Sequence, residues 1–519
     1  MLSKLKIFIV ACIICSLVVI AKIKLSPYDQ PHGIRQNIKT QFISDSFNSC
    51  SISENNSMID INRSFIYLKN PDRPVKVGDF FSVIIQARDL YSQCTSGYDF
   101  FFATMNSKEN HNTGKITDLK NGTYEVLFFA GWPGVINISI VLVHPSEAVY
   151  FIEQEIWPLE KRLAWKGYFE QNKSETQFCS ISKKALLGVD KCQYSHPLAM
   201  GETVFFCDKP MKSSCDRLSW LQTNSPYIGS VFSKLYSSHQ QLFSKSVTYA
   251  RLVQGTTSIK ISKEGNLPLV ISRLPECRAD LQMPLSDGFW TNDVWTSLHC
   301  KTKQWTKQEI TKCIRGKHMI LMGDSTTRQW TEQLLNIMGV TKSKYTTKPN
   351  TKHIRHHSTS MMLDFYFHPY TLGSPTFYYR VGKWEYEILN NLKKKDCNYV
   401  IIVSPWAHYI QWTKDSYTER LHLLREALVR FMKRCPNAKI VVKTSHPRNH
   451  PSTNSLLYAS DKIVYNIYKL FVSIFSGLGI HIIDIWDMNL SYPSMNTIHM
   501  PSPVIHQELF LMFSHICPL

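Results

Sequence analysis

A chain of 519 residues is too long for one ordinary hydrophobic core and calls for two or three domains. Its composition, 44% hydrophobic with 12% aromatic and 19% charged residues, excludes wholesale disorder. The formal charge of +19 at pH 7 points to anionic partners or to a basic, well-solvated surface.

At the N-terminus Lys4 and Lys6 precede an apolar run over 7–21 that only Ser16 interrupts. The run is short of the roughly 20 apolar residues that span a bilayer. It suits the core of a signal peptide, with Val19-Ile20-Ala21 at cleavage offsets. A retained signal anchor over 1–21 is the alternative; either way the rest is expected to be secreted or to lie in the Golgi lumen. Cys12 and Cys15 fall in the run, leaving twelve of the fourteen cysteines beyond it. An even set of thiols in an oxidising compartment predicts disulfides, with the pairing left open. Sequons at Asn55, Asn62, Asn121, Asn137, Asn172 and Asn489 predict a glycoprotein. In that compartment the anionic partners are acidic glycans, headgroups or phosphorylated cosubstrates, and not nucleic acid.

Residues 22–59 are polar and aperiodic and read as a stalk. Alternation follows: Phe81, Val83, Ile85 and Ala87, then Tyr124, Val126 and Phe128, then Ile136, Ile138, Ile140 and Leu142. Such short alternating strands, with an Asn121-Gly122 turn among them, predict a β-sandwich over 60–155. Asn137 falls on the polar side of its strand and is expected to face solvent. Seven cysteines are scattered over 160–314 among short strand signals and turn residues, which predicts a disulfide-stapled module with little regular structure.

From 315 to 519 strand and helix signals alternate. Apolar strands at 319–322, 399–403, 439–442 and 482–485 are each followed by a helical pattern. The apolar stripes run through Trp330, Leu334 and Met338, then Leu421, Leu424, Leu428 and Met432. The third holds Val464, Ile467, Phe471 and Phe475, and the last holds Ile505, Leu509, Met512 and Ile516. This is the pattern of a doubly wound, mainly parallel sheet covered by helices on both faces.

Gly323-Asp324-Ser325 stands where the first of these strands gives way to a helix. Glycine permits the tight turn, and a serine at a helix N-terminus lies beside orphan backbone N–H groups that can stabilise an oxyanion. An ordinary helix cap is the plain alternative. His499 falls after the last strand and ahead of the final helix. Loops at strand C-terminal ends gather on one rim, so this histidine is placed to approach Ser325 and act as its base.

With GDS at one end and this histidine at the other, the chain resembles the SGNH-like PC-esterase domains. The segment Asp118, Asn121-Gly122-Thr123-Tyr124, Trp132-Pro133-Gly134 and His144-Pro145-Ser146-Glu147 resembles the neurexophilin Ig-like module. Gly323-Asp324-Ser325-Thr326-Thr327-Arg328-Gln329-Trp330 is similar to the esterase nucleophile block. The order of these modules resembles the neurexophilin and PC-esterase domain (NXPE) family. The resemblance implies an Ig-like β-sandwich over 60–155, a cysteine-rich module over 160–314 and an SGNH-like domain over 315–519. It also implies acyl-ester chemistry on glycans, sialic acids among them, as an O-acetyltransferase or O-acetylesterase. By that analogy Ser325 is the nucleophile and His499 the base, Asp324 and the loop holding His408 support the oxyanion site, and acetyl-CoA is a cosubstrate of the transfer version.

Two departures set this chain apart. The acid usual three residues before the histidine is replaced by Asn496, and Trp406 stands where glycine is expected. An asparagine can orient an imidazole but cannot balance its charge. Asp484 and Asp487 are the candidate replacements. The alternative function is a weak or inactive secreted glycoprotein that binds a cell-surface partner through its Ig-like module. Two basic sets, Lys342, Lys344, Lys348, Lys352, His353, Arg355, His356 and His357, and then Lys443, His446, Arg448 and His450, read as solvated loops or, if they flank the rim, as an acidic-glycan or phosphate cradle. No carboxylate or cysteine completes the run His353, His356 and His357, so no metal is expected.

Overall fold

The computed structural model describes residues 58–157, 165–170, 174–180, 190–223, 239–279, 281–344, 346–348, 353–369, 382–393, 397–450, 453–493 and 498–518. Alternation of apolar and polar residues sets up the first layers. Strands β1 (Phe65–Leu68), β2 (Val75–Lys76), β3 (Phe80–Gln86), β4 (Phe100–Asn106) and β5 (Asn110–Thr113) are followed by β6 (Lys115–Asp118), β7 (Thr123–Phe129) and β8 (Gly134–His144). One sheet has the order β1-β3-β7-β6. Its inward residues Val83, Ile85, Tyr124, Val126 and Phe128 share one buried cluster with Ala103, Met105, Ile136, Ile138 and Ile140 of the facing sheet. The alternating residues singled out in the sequence therefore form the seam between the two sheets. Asn62, Asn121 and Asn137 are exposed, while Asn55 and Asn172 lie outside the described residues.

The facing sheet takes its remaining strands from farther along the chain: β14 (Ala250–Leu252), β15 (Ser258–Ser262), β16 (Gly288–Thr291) and β17 (Val294–Ser297). Its order is β17-β16-β5-β4-β8-β15-β2, with β14 also on β8. A third, antiparallel sheet is built from β9 (Trp165–Phe169), β10 (Glu175–Ser180), β11 (Lys191–Ser195), β12 (Val204–Asp208) and β13 (Leu218–Thr223) in the order β11-β12-β10-β9-β13. Cys179–Cys207 and Cys192–Cys215 staple it. The stretch 160–314 is thus more regular than its scattered strand signals suggest, because its strands pair with partners distant in sequence.

The last sheet comprises β18 (His318–Gly323), β19 (Thr346–Lys348), β20 (His353–His357), β21 (Met362–Phe367), β22 (Tyr399–Ser404), β23 (Lys439–Lys443) and β24 (His481–Ile483). Its order is β19-β20-β21-β18-β22-β23-β24. The five strands from β21 to β24 are parallel, and β19 and β20 extend the edge in antiparallel sense. Numbered along the chain, the parallel strands lie 2-1-3-4-5, a doubly wound order. The predicted helices are present as Ser325–Ile337, Lys414–Arg434, Asp461–Phe475 and Ser502–Ile516. Trp330, Leu334, Leu421, Leu428, Val464, Ile467, Phe471, Leu509 and Met512 are all buried. The stripes on either face of the sheet divide the core into two large clusters.

These clusters cross the borders drawn from sequence. Trp165, Phe169 and Phe205 of the third sheet pack with Trp406, Tyr409 and Leu421, and Trp290 and Trp295 pack with Met319 and Leu509. Residues 51–519 form one compact unit. Among the described residues the bonds Cys277–Cys300, Cys313–Cys517 and Cys397–Cys435 complete five located disulfides, and Cys94 is also disulfide-bonded. No helix among the described residues is long and apolar enough to cross a membrane.

Candidate active site

The turn after β18 is built by close approach. A Cβ at Gly323 would stand 2.3 Å from Thr327 Oγ1 and 2.9 Å from Ser404 O, so only glycine fits. Asp324 follows in extended conformation as the N-cap of helix Ser325–Ile337. Its Oδ1 accepts from the Thr326 N–H at 2.8 Å and from Thr326 Oγ1 at 2.7 Å. Its Oδ2 accepts from the Ala407 N–H at 2.7 Å. One fully buried carboxylate thus caps the serine helix and ties it to the loop after β22. Ser325 is the first residue of the helix, where its N–H has no intrahelical acceptor.

His499 Nε2 lies 2.8 Å from Ser325 Oγ. The two residues are 174 apart in sequence and meet because both loops open on the C-terminal rim of the sheet. His499 is solvent-exposed on its outer side. Desolvation of its inner side, followed by the positive charge of Arg328, lowers its pKa below the ordinary histidine value. Asp324 and Glu332 pull the other way. The net effect keeps the imidazole neutral near pH 7, the form that can take a proton.

His408 lies in the loop that Asp324 holds. Burial lowers its pKa, and its electrostatic neighbours are Asp324, His499 and Arg328. Beside it stands His368, 1% exposed, whose ring lies 5.7 Å from that of His408. Among the described residues neither nitrogen of His368 has a hydrogen-bond partner. Lys443, fully buried at the end of β23, donates from Nζ to Thr326 Oγ1 at 3.2 Å. Burial lowers its pKa too. Arg328 and His368 were not singled out as site neighbours in the sequence, and Lys443 was read there only as one of the second basic set. Arg328, one turn after Ser325, was within reach of helix periodicity, but the other two depend on strand order.

Several expectations change here. Asp484 accepts from Tyr468 OH at 2.6 Å and Asp487 pairs with Lys115 at 3.4 Å, so both carboxylates are engaged away from His499. Asn496 lies outside the described residues. Among the described residues no carboxylate oxygen is bonded to His499. The second basic set is not an exposed cradle: Lys443 and His446 are buried, burial holds His446 at about 3, and His450 and the Arg448 N–H face Asp461. In the first set, His353–His357 is a strand between β19 and β21 rather than a loop, and Lys352 lies outside the described residues. Trp406 is fully buried with its ring 4.9 Å from that of His446, so it fills core behind the site. Asn489 is 5% exposed and its Nδ2 donates to Ile485 O and Glu508 Oε1 at 2.8 Å each, which leaves no room for a glycan on that sequon.

A serine at the first strand–helix turn, a histidine ahead of the last helix and the 2-1-3-4-5 order define an SGNH-like α/β domain set against β-layers. Residues 295–517 match the family model described as NXPE family member 4-like, C-terminal domain, and residues 69–245 match the neurexophilin model. The chain belongs to the NXPE family. An uncharacterised 9.9 kDa protein of Autographa californica nuclear polyhedrosis virus is 29% identical over 69 residues, 13% of this chain and 82% of that protein. A GDSL-like lipase from Bacteroides thetaiotaomicron is 10% identical, covers 40% of this chain and 89% of its own, and superposes with a TM-score of 0.24. The Escherichia coli adhesin FdeC is 13% identical over 29% of this chain and 55% of its own, with a TM-score of 0.15. Structural likenesses this weak carry no argument.

Proposed function

We propose that the protein is an acyl-ester enzyme of the secretory pathway, an O-acetyltransferase or O-acetylesterase that acts on glycans through Ser325. The observation that carries this reading is the 2.8 Å contact between His499 Nε2 and Ser325 Oγ at a helix N-terminus. Neutral His499 takes the hydroxyl proton as Oγ attacks the acyl carbonyl carbon. The carbonyl oxygen becomes an oxyanion facing the free Ser325 N–H, with the His408 loop as the opposite wall. Collapse breaks the bond to the leaving group, which takes its proton from His499, and leaves an acyl-serine. In transfer the acyl donor is a thioester such as acetyl-CoA and a sugar hydroxyl then attacks the acyl-serine, whereas in hydrolysis water attacks; His499 removes the proton of either and returns it to Ser325 Oγ as the acyl–Oγ bond breaks. Asp324 and Glu332 are the carboxylates whose charge favours the transient imidazolium.

The five located disulfides support an oxidising compartment, and exposed sequons at Asn62, Asn121 and Asn137 support glycosylation there. The orders β1-β3-β7-β6 and β5-β4-β8-β15 support an Ig-like reading of the N-terminal layers, since they follow the A-B-E-D and C′-C-F-G pattern. The absence of a carboxylate on His499 among the described residues favours a second reading, a weakly active protein that binds a cell-surface partner through those layers. An acetyl transfer and release assay on sialylated glycans separates the two. The first reading expects turnover that Ser325→Ala abolishes; turnover equal in both proteins, or none in either, overturns it.

A further inference from the structure

Asp364 sits in the middle of β21, between fully buried Leu363 and Phe365, and is itself 1% exposed. Four side chains converge on it. Oδ1 receives His353 Nε2 at 2.9 Å and Arg355 Nε at 2.8 Å. Oδ2 receives His318 Nε2 at 2.7 Å and His357 Nε2 at 2.8 Å. The register explains the convergence. His318 and His357 both pair with Met362, from the strands on either side of β21, and Arg355 pairs with Asp364 itself. A period of two then puts all of these side chains on one face of the sheet.

Arg355 alone balances the charge of one carboxylate, so three imidazoles exceed what neutralisation requires. Their arrangement divides by oxygen. On Oδ1, Arg355 and His353 orient the carboxylate from behind, as partners of a ligating carboxylate do. On Oδ2, two imidazole nitrogens and one oxygen come together with their ligand atoms within 4.8 Å of one another. We infer that His318, His357 and Asp364 form a binding site for a zinc-type divalent transition metal. Two imidazoles and a carboxylate are a ligand set such ions take, with the remaining position left to water. The side chains of His318 and His357 are 21% and 40% exposed, so solvent reaches that position.

Bonds of about 2.0–2.2 Å in a tetrahedron set ligand atoms about 3.3–3.6 Å apart. The two contacts on Oδ2 therefore open by about 0.5–0.9 Å, which the half-exposed ring of His357, beyond the residues of β20 that pair with β19, permits. With the metal bound, each ligating imidazole carries on Nδ1 the proton that its Nε2 otherwise donates to Asp364. His318 opens β18 five residues before Gly323, so the site lies about 17 Å along that strand from the rim that holds Ser325. It joins β18, β20 and β21 and does not depend on the acyl chemistry. A second cluster of metal-ligand type among the described residues, Cys277, Cys300 and His515, has its sulfurs committed to a disulfide.

The test is a Co2+ titration of the full glycosylated chain after chelator treatment, followed by the visible d–d absorption of tetrahedral cobalt and by displacement with Zn2+. One equivalent of Co2+ should produce the band, Zn2+ should abolish it, and Ser325→Ala should leave it unchanged. His318→Gln with His357→Gln should remove it. The half-exposed His357→Gln alone, checked for native circular dichroism, should weaken Co2+ by more than about a hundredfold, beyond the roughly tenfold to hundredfold that loss of an outer-shell partner costs. No band in the wild type overturns the inference and leaves a hydrogen-bonded carboxylate. An undiminished band in a folded His357→Gln protein overturns it as well.

Discussion

His499 reports on its surroundings through its protonation. Burial of its inner side and the charge of Arg328 both lower its pKa. A base must be neutral, so kcat/KM should rise with pH through that pKa and level off above it. The acid limb is expected below the ordinary histidine value of about 6.5. Arg328→Gln removes a positive neighbour and should move the limb to higher pH; an unmoved limb would remove Arg328 from the account. At this scale the sequence was informative about Ser325, whose place at a strand–helix junction is a local property. It was uninformative about His368, which reaches the site because β21 lies beside β18. The Asn489 sequon shows the opposite failure: a local signal placed on a helix face that the fold buries.

The serine helix depends on two residues ahead of it. Gly323→Ala drives a Cβ against Thr327 Oγ1 and Ser404 O, and overpacking of this kind costs about 1–3 kcal/mol. Asp324→Ala strips acceptors from the buried N–H groups of Thr326 and Ala407, at about 1–3 kcal/mol for each group left unpaired. Asp324→Asn keeps one acceptor oxygen and should recover part of that loss in denaturant midpoints; equal destabilisation by Ala and Asn would show that charge, not bonding, holds the turn. The strand–helix alternation around this turn was legible because apolar runs and i+4 stripes are local. Strands β20 and β21 were not. A basic run resembles a solvated loop, and only the alternation His353, Arg355, His357 together with a lone Asp364 in an apolar segment marks them as strands of one face.

Across the molecule, strands and disulfides bind distant parts of the chain. Cys313–Cys517 closes a separation of 204 residues and pins the final helix, which carries the rim loop with His499 just ahead of it. Constraint of so long a loop predicts that Cys313→Ser with Cys517→Ser loses about 2–5 kcal/mol in guanidinium unfolding. A smaller loss would mean that Trp305, Leu509 and their neighbours hold the helix unaided. Domain borders were the least legible feature. Strands β14 to β17 complete a sheet begun 100 or more residues earlier, and pairing at that range leaves no periodic trace.

The central claim, that Ser325 is a nucleophile served by His499, is tested most directly by trapping its acyl form. The full chain is incubated with p-nitrophenyl acetate, quenched in acid and mapped by peptide mass spectrometry, beside Ser325→Ala and His499→Ala. The account predicts a burst of nitrophenol and one acetyl group on the peptide holding Ser325, absent from both variants. Acetylation elsewhere with Ser325 unmodified, or the same burst from Ser325→Ala, would contradict it.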